Sequence, residues 1–255
     1  MMKYKDLFIK LVLLLIFLLT WQLFLLLNQF LSEINNQTSL QAFIPTPSTI
    51  AFTIYNNFGL LISELFTTII RAFFEVSFGF LFALFMGVLF WIKPSFRNIV
   101  FPILLAVNSF PIVGFTPLII ITFGQGSWLG IVFVSSLISY FPMLIALDHS
   151  ISYVGRDFFE LGRTWGASES VIFRKIVIPL SVPNILSSLK LAVPASIVGA
   201  TLGEWLGTNH GIGHLVIVSM YQLNPGMVYA SLLLILTFSM TVVGLISIVE
   251  DKYRH

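Results

Sequence analysis

The sequence predicts an all-α, polytopic membrane fold of about six transmembrane helices, and three observations carry that prediction. Hydrophobic residues make up 57% of the chain and charged residues only 9%, against roughly 25% charged residues in soluble domains. Several apolar runs approach the roughly 20 residues that a helix needs to cross a hydrocarbon core. The basic residues gather in alternate connections between those runs, as they do when Lys and Arg stay on the cytoplasmic side. Composition argues against a water-soluble fold. No polar stretch is long enough for a separate globular domain, so residues 1–255 are expected to form one transmembrane domain. The net charge of +2 is small and the basic residues share no face, which gives no support to nucleic-acid binding. Without cysteine the chain has no disulfides and no thiolate metal sites, and its compartment stays open on that ground.

The spans are expected near 7–31, 67–92, 99–123, 127–147, 184–206 and 226–248. The first follows Lys3 and Lys5 but is too long for a signal-peptide core and lacks a small-residue cleavage site, so it is read as a retained helix. Eleven of the 13 Lys and Arg lie at the N-terminal end of span one, where Lys3, Lys5 and Lys10 stand, between spans two and three, between four and five, or after six. The opposite connections, 32–66, 124–126 and 207–225, hold none, which places both termini in the cytoplasm. Within 32–66, Pro45-Thr46-Pro47-Ser48 precedes an amphipathic stretch from Ile50 to Phe66, expected as a helix on the outer surface with Ser48 as its N-cap. Pro102, Pro111 and Pro117 interrupt span three. Such breaks are either kinks buried in the bundle or a discontinuous helix lining a substrate path.

Between spans four and five, residues 148–183 form the longest cytoplasmic connection. Phe158, Leu161 and Trp165 recur at helical spacing and would form one apolar stripe. Gly166 permits a sharp turn, Ser168 is placed to cap a second helix, and Val171, Ile172 and Ile176 repeat the spacing until Pro179 is expected to stop it. The result is a helix-turn-helix, apolar on one side and basic on the other.

This loop resembles the EAA signature of permease subunits of ATP-binding-cassette importers, in which Glu-Ala-Ala is followed by three residues, Gly, nine residues and Ile-x-Leu-Pro. Glu160 takes the glutamate position, Leu161 and Gly162 replace the alanines, Gly166 is the glycine, and Ile176-Val177-Ile178-Pro179 closes the pattern. Pro45 to Ser48, Thr68 to Arg71 leading to Gly79 and Gly87, and Gly203-Glu204-Trp205-Leu206-Gly207 with Gly211-Ile212-Gly213 are similar to permeases for nitrate, sulfonate, taurine and thiamine-precursor pyrimidines.

The resemblance implies a type I importer permease fold whose coupling loop seats on a separate ATPase, with Phe158, Glu160, Leu161, Gly162, Trp165, Gly166, Ala167, Ile176 and Pro179 as its contact or shaping residues. It further implies a second permease copy in a homodimer, two ATPase copies and an extracytoplasmic solute-binding protein. Closure of the ATPases would tilt the loop helices and turn the pore from inward- to outward-facing. The chain has no Gly-x-x-x-x-Gly-Lys-Ser/Thr loop, so ATP would be bound by the partner and no cofactor is expected here.

Ionisable residues inside spans are functional candidates by default. Arg71 and Glu75, four residues apart, either neutralise each other or line the path. Lys190 is read as snorkelling to the headgroups. Glu204, beside Trp205, is either a solvated helix end or an outer gate that docks the binding protein. Asn108 and Ser109 either face the pore or bond to backbone carbonyls freed by Pro111. His210 and His214 make a poor metal site, because two nitrogens flanked by glycines form no rigid ligand set. A secondary transporter or channel is the competing class, yet no internal repeat is evident and a proton relay would need more ionisable groups. An intramembrane enzyme would need a nucleophile or metal motif that the chain lacks.

Overall fold

In a computed structural model the chain is described at residues 2–34, 40, 43–124, 127–149 and 164–253. Ten α-helices lie among the described residues: α1 Met2–Ile34, α2 Pro47–Asn56, α3 Phe58–Ile92, α4 Pro94–Ser109, α5 Ile112–Phe123, α6 Trp128–His149, α7 Glu169–Ile172, α8 Ile178–Gly207, α9 Ile212–Tyr221 and α10 Pro225–Tyr253. Five of them, α1, α3, α6, α8 and α10, are long and apolar enough to cross a membrane, and the bent pair α4 and α5 makes a sixth span if counted as one. That all-α, polytopic architecture matches the predicted fold class.

Contacts divide the chain into two compact units. The first comprises Met1–Glu64 and Leu215–Leu234. Here Thr46, and not Ser48, caps α2: its hydroxyl oxygen accepts from the Thr49 amide at 3.3 Å, while the Ser48 amide donates to Gln22 Oε1 at 3.2 Å. Pro47 then occupies the first helical position, where its missing N–H costs nothing. The expected amphipathic helix from Ile50 to Phe66 is divided at Asn57, whose amide and side-chain Nδ2 both donate to the Thr53 carbonyl at 3.0 Å. From Phe58 onward the chain already belongs to the long α3, because its apolar residues continue the span without a break.

The second unit comprises Leu65–His214 and Ile235–His255. Its core gathers Ala83 and Phe90 of α3, Tyr140, Phe141, Met143, Leu144 and Leu147 of α6, and Ala192 of α8. Helix α6 is the most buried of the long helices. Small residues let its neighbours approach: a Cβ on Gly79 of α3 would stand 2.8 Å from Ser139 Oγ, and one on Gly199 of α8 would stand 2.8 Å from Ser135 Cα. The third span breaks at Phe110-Pro111, leaving a 97° bend between Pro94–Ser109 and Gly114–Phe123. A proline that cannot donate into the preceding turn accounts for the break.

Pro179, by contrast, does not end a helix. From Glu169 the chain coils through α7, a π-helical turn at Phe173–Val177 and then α8, which contains Pro179. The Ile178 amide reaches back five residues to the Phe173 carbonyl, and this widened turn sits directly ahead of the proline that would otherwise break a regular helix.

Lys190 is not a free snorkelling lysine either. Its Nζ forms an ion pair with Glu250 of α10, a nearly fully buried carboxylate that also accepts from Ser187 Oγ at 2.6 Å. Lys190→Met strips Glu250 of its cation, so the unfolding midpoint of the purified protein should fall. An unchanged midpoint would return Lys190 to the snorkelling role.

Candidate functional site

Three arrangements in the second unit bear on function. In the first, Glu204, the residue expected at a solvated helix end, is fully buried. Near the end of α8 it accepts from Arg71 Nη1 at 2.6 Å, from Thr68 Oγ1 at 2.9 and 3.0 Å, and from the Gly213 amide at 2.8 Å. Arg71 also donates to the His210 carbonyl at 2.9 Å, and Thr68 Oγ1 accepts from the Ile212 amide at 2.8 Å. The carboxylate thus gathers α3 and the turn 208–211 into one fully hydrogen-bonded charge cluster. Gly211 is required at that turn. Its φ is +110°, and a Cβ there would lie 2.2 Å from the Glu204 carboxylate.

Two expectations are corrected by this cluster. Arg71 is neutralised by Glu204, 133 residues away, and not by Glu75. A side chain with no exposed surface cannot be a contact for a binding protein in this conformation. His210 contributes its backbone carbonyl, and no group of three or more potential metal ligands occurs among the described residues. Thr68, Gly211 and Gly213 had drawn attention only through the family resemblance. Their joint role follows from Glu204 being close to all three.

Glu75, one turn below Arg71, is also fully buried, and neither of its carboxylate oxygens makes a hydrogen bond. Ser135 Oγ of α6 is its polar neighbour. The Glu75 backbone carbonyl is engaged, accepting from Ser136 at 3.3 Å and Ser139 at 3.4 Å. Beside this layer is a cavity of about 350 Å³ between α3, α5 and α6, lined among others by Phe78, Phe82, Phe123, Phe133, Ser136 and Tyr140. Neither Asn108 nor Ser109 lines it. Ser109 Oγ donates to the Leu105 carbonyl at 3.0 Å, a bond one turn back along α4 and not to the Val107 carbonyl that Pro111 cannot reach.

The third arrangement is the described part of the 148–183 connection. Phe158, Glu160, Leu161 and Gly162 lie outside the described residues. Gly166 has φ +71°, in the left-handed region that favours glycine, and nothing crowds the position where a Cβ would stand. Trp165 before it is 87% exposed. Ser168 precedes α7, with its backbone carbonyl accepting from the Val171 and Ile172 amides. Ile172 is fully buried, with Ala167, Phe173 and Ile176 beside it and Trp91 of α3, whose ring stacks on Phe173 at 4.4 Å. The apolar face of this second helix is therefore spent on the permease body, while Trp165 and the half-exposed Val171 remain outside.

Residues 79–255 match the family described as the binding-protein-dependent transport system inner membrane component. The chain belongs to this family. Among curated members of the importer permease group, it is 28% identical over 165 residues to a formylaminopyrimidine transport permease protein of Halalkalibacterium halodurans, covering 63% of this chain and 65% of that one. It is 26% identical over 225 residues to a protein of Haemophilus influenzae named "Probable ABC transporter permease protein", covering 88% of each. Against the riboflavin transport system permease protein of Chloroflexus aurantiacus the identity is 26% over 149 residues, covering 58% of this chain and 55% of that one. The fold resembles an inward-facing MetNI methionine ABC transporter, with a TM-score of 0.65 at 18% identity over 77% of this chain and 96% of that chain. This permease is therefore a multi-pass membrane component of binding-protein-dependent transport, in a family whose members work with an ATPase and a solute-binding protein.

Proposed function

We propose that the chain forms the translocation path of an ATP-binding-cassette importer for a small solute, of the nitrate, sulfonate, taurine or pyrimidine type, handed over by an extracytoplasmic binding protein. Two permease copies would pair, each seating a coupling loop on one ATPase. ATP is bound by that partner, and both termini face the cytoplasm as the distribution of Lys and Arg favours. The observation that carries this reading is the left-handed Gly166 beside the 87% exposed Trp165 ring, at the EAA-like spacing and inside the segment that matches the family. A tryptophan standing in the aqueous phase next to a conformationally fixed turn is an anchor that lacks its pocket, and aromatic anchors of this kind dominate interfaces.

A β-branched residue at Gly166 costs about 1–2 kcal/mol in the left-handed region and re-aims the chain before it. Gly166→Val and Glu160→Lys should yield protein that inserts and purifies normally, fails to capture the ATPase in a detergent pull-down, and does not drive uptake in reconstituted vesicles. Capture and uptake at the unmodified rate by both variants would refute the coupling-loop assignment.

A further inference from the structure

We infer that Arg97 is the positioning residue through which the 148–183 connection moves α4, the first half of the broken third span. This rests on the permease reading and deepens it by naming where the push of an ATPase enters the bundle. The connection is fastened twice to one corner of the second unit, the turn from α3 to α4. At Asp148, the last but one residue of α6, Arg97 Nε donates to Oδ1 at 2.5 Å and Nη2 to Oδ2 at 2.7 Å. Such a fork holds a carboxylate in one orientation, which a single contact does not. The guanidinium also stands over the Phe101 ring, 5.3 Å from its centre, so it is steadied from a second side. Further along the connection, Phe173 stacks on Trp91 of α3 at 4.4 Å, with Ile172 buried beside them.

That corner is stiff. Lys93 alone separates α3 from α4: its amide donates to the Leu89 carbonyl at 2.9 Å, and its own carbonyl accepts from the Phe96 and Arg97 amides at 3.0 and 3.2 Å. The Phe90 ring meets those of Phe96 and Phe101 across the turn. Displacement of Asp148 or Trp91 is therefore passed to α4 and not lost in a slack joint. Helix α4 is free to follow, because none of its residues is buried and the bend at Phe110-Pro111 separates it from α5. An element with so little buried surface is held by its directed contacts. Two of these join it to α6: the Arg97 fork, and the Tyr140 hydroxyl donating to the Leu104 carbonyl at 3.1 Å, about two turns away. Arg97 is the one beside the connection. Helix α8 needs no such link, since it runs on directly from the π-helical turn at Phe173–Val177.

The test uses the full-length permease in complex with its ATPase. Because the chain has no cysteine, Ile103→Cys on α4 and, in a separate protein, Leu191→Cys on α8 each place a single bimane fluorophore at an exposed position. Without further changes, both emissions should shift when the complex is trapped with ATP and vanadate. Arg97→Ala should shrink the α4 shift about threefold or more, while the α8 shift and ATPase capture persist. Arg97→Lys, which keeps the charge but not the fork, should fall between the two. An unchanged α4 shift in Arg97→Ala overturns the inference. So does an equal loss of both shifts, which marks general damage to the bundle. Should Arg97→Ala fail to purify, Asp148→Asn decides, and an unchanged α4 shift there overturns the relay. Absence of ATPase capture by the otherwise unmodified chain defeats the permease reading itself, whereas capture with a silent α4 probe defeats this inference alone.

Discussion

Glu204→Ala should nearly abolish folded permease in the membrane. The substitution takes the carboxylate from the Arg71 guanidinium, whose side chain is 10% exposed, and leaves it hydrogen-bonded to the His210 carbonyl at 2.9 Å. It also strips the Gly213 amide and the Thr68 hydroxyl of the acceptor they share. Removing one partner of a buried ion pair costs about 3–5 kcal/mol because the remaining charge stays uncompensated, which is a large fraction of the 5–15 kcal/mol that holds a typical fold. Arg71→Met should be nearly as damaging. The double variant Arg71→Met/Glu204→Gln should recover part of the loss, since the amide still accepts from Gly213 and neither member of the pair is left charged without the other. Fluorescence-detected size exclusion of tagged protein reads the folded fraction. Wild-type yield for Glu204→Ala, or a double variant worse than the sum of the singles, would show that the cluster does not hold the bundle together.

The comparison of Arg71 with Glu75 also marks where sequence reasoning ends. Hydropathy and the distribution of Lys and Arg give the spans, because an apolar run long enough to cross a bilayer is a local property of the chain. They also give span three its break, since Pro111 is read directly from the sequence. Spacing four residues apart, however, suggests that Arg71 faces Glu75, whereas the true partner is 133 positions away. Nothing local distinguishes the two carboxylates. Both are fully buried, and only the packing of α3 with the turn after α8 decides which one receives the guanidinium. The cap of α2 moved from Ser48 to Thr46 for a similar reason: the Ser48 amide and hydroxyl are taken by Gln22, and residue type alone does not reveal that engagement. At Pro179 the expected stop failed because a π-helical turn absorbs the proline, a backbone adjustment with no signature in residue type. At one position of the 148–183 connection residue type was informative. Positive φ at Gly166 is what a glycine between two helical patterns suggests.

Gly199→Ala should destabilise the permease more than Gly203→Ala, although both glycines lie on one face of α8, one turn apart, against α6. A Cβ on Gly199 would meet the Cα and Cβ of Ser135 at 2.8 Å. Those atoms move only if α6 moves, and α6 is the core of the second unit. On Gly203 the same atom would come within 2.6 Å of Ile131 Cγ2, a side-chain methyl that rotation about χ1 can move without shifting the backbone. The nominally shorter contact is therefore the more forgiving one. Overpacking against an unyielding neighbour costs about 1–3 kcal/mol, and in a membrane the close approach of helices through small residues is itself a main source of their association. Thermal unfolding of the two variants in the same detergent should rank them wild type, Gly203→Ala, Gly199→Ala in falling midpoint. Equal midpoints for the two variants would mean that α6 yields as easily as an isoleucine side chain, and the close packing of α6 and α8 would then not be what positions the layer around Glu75.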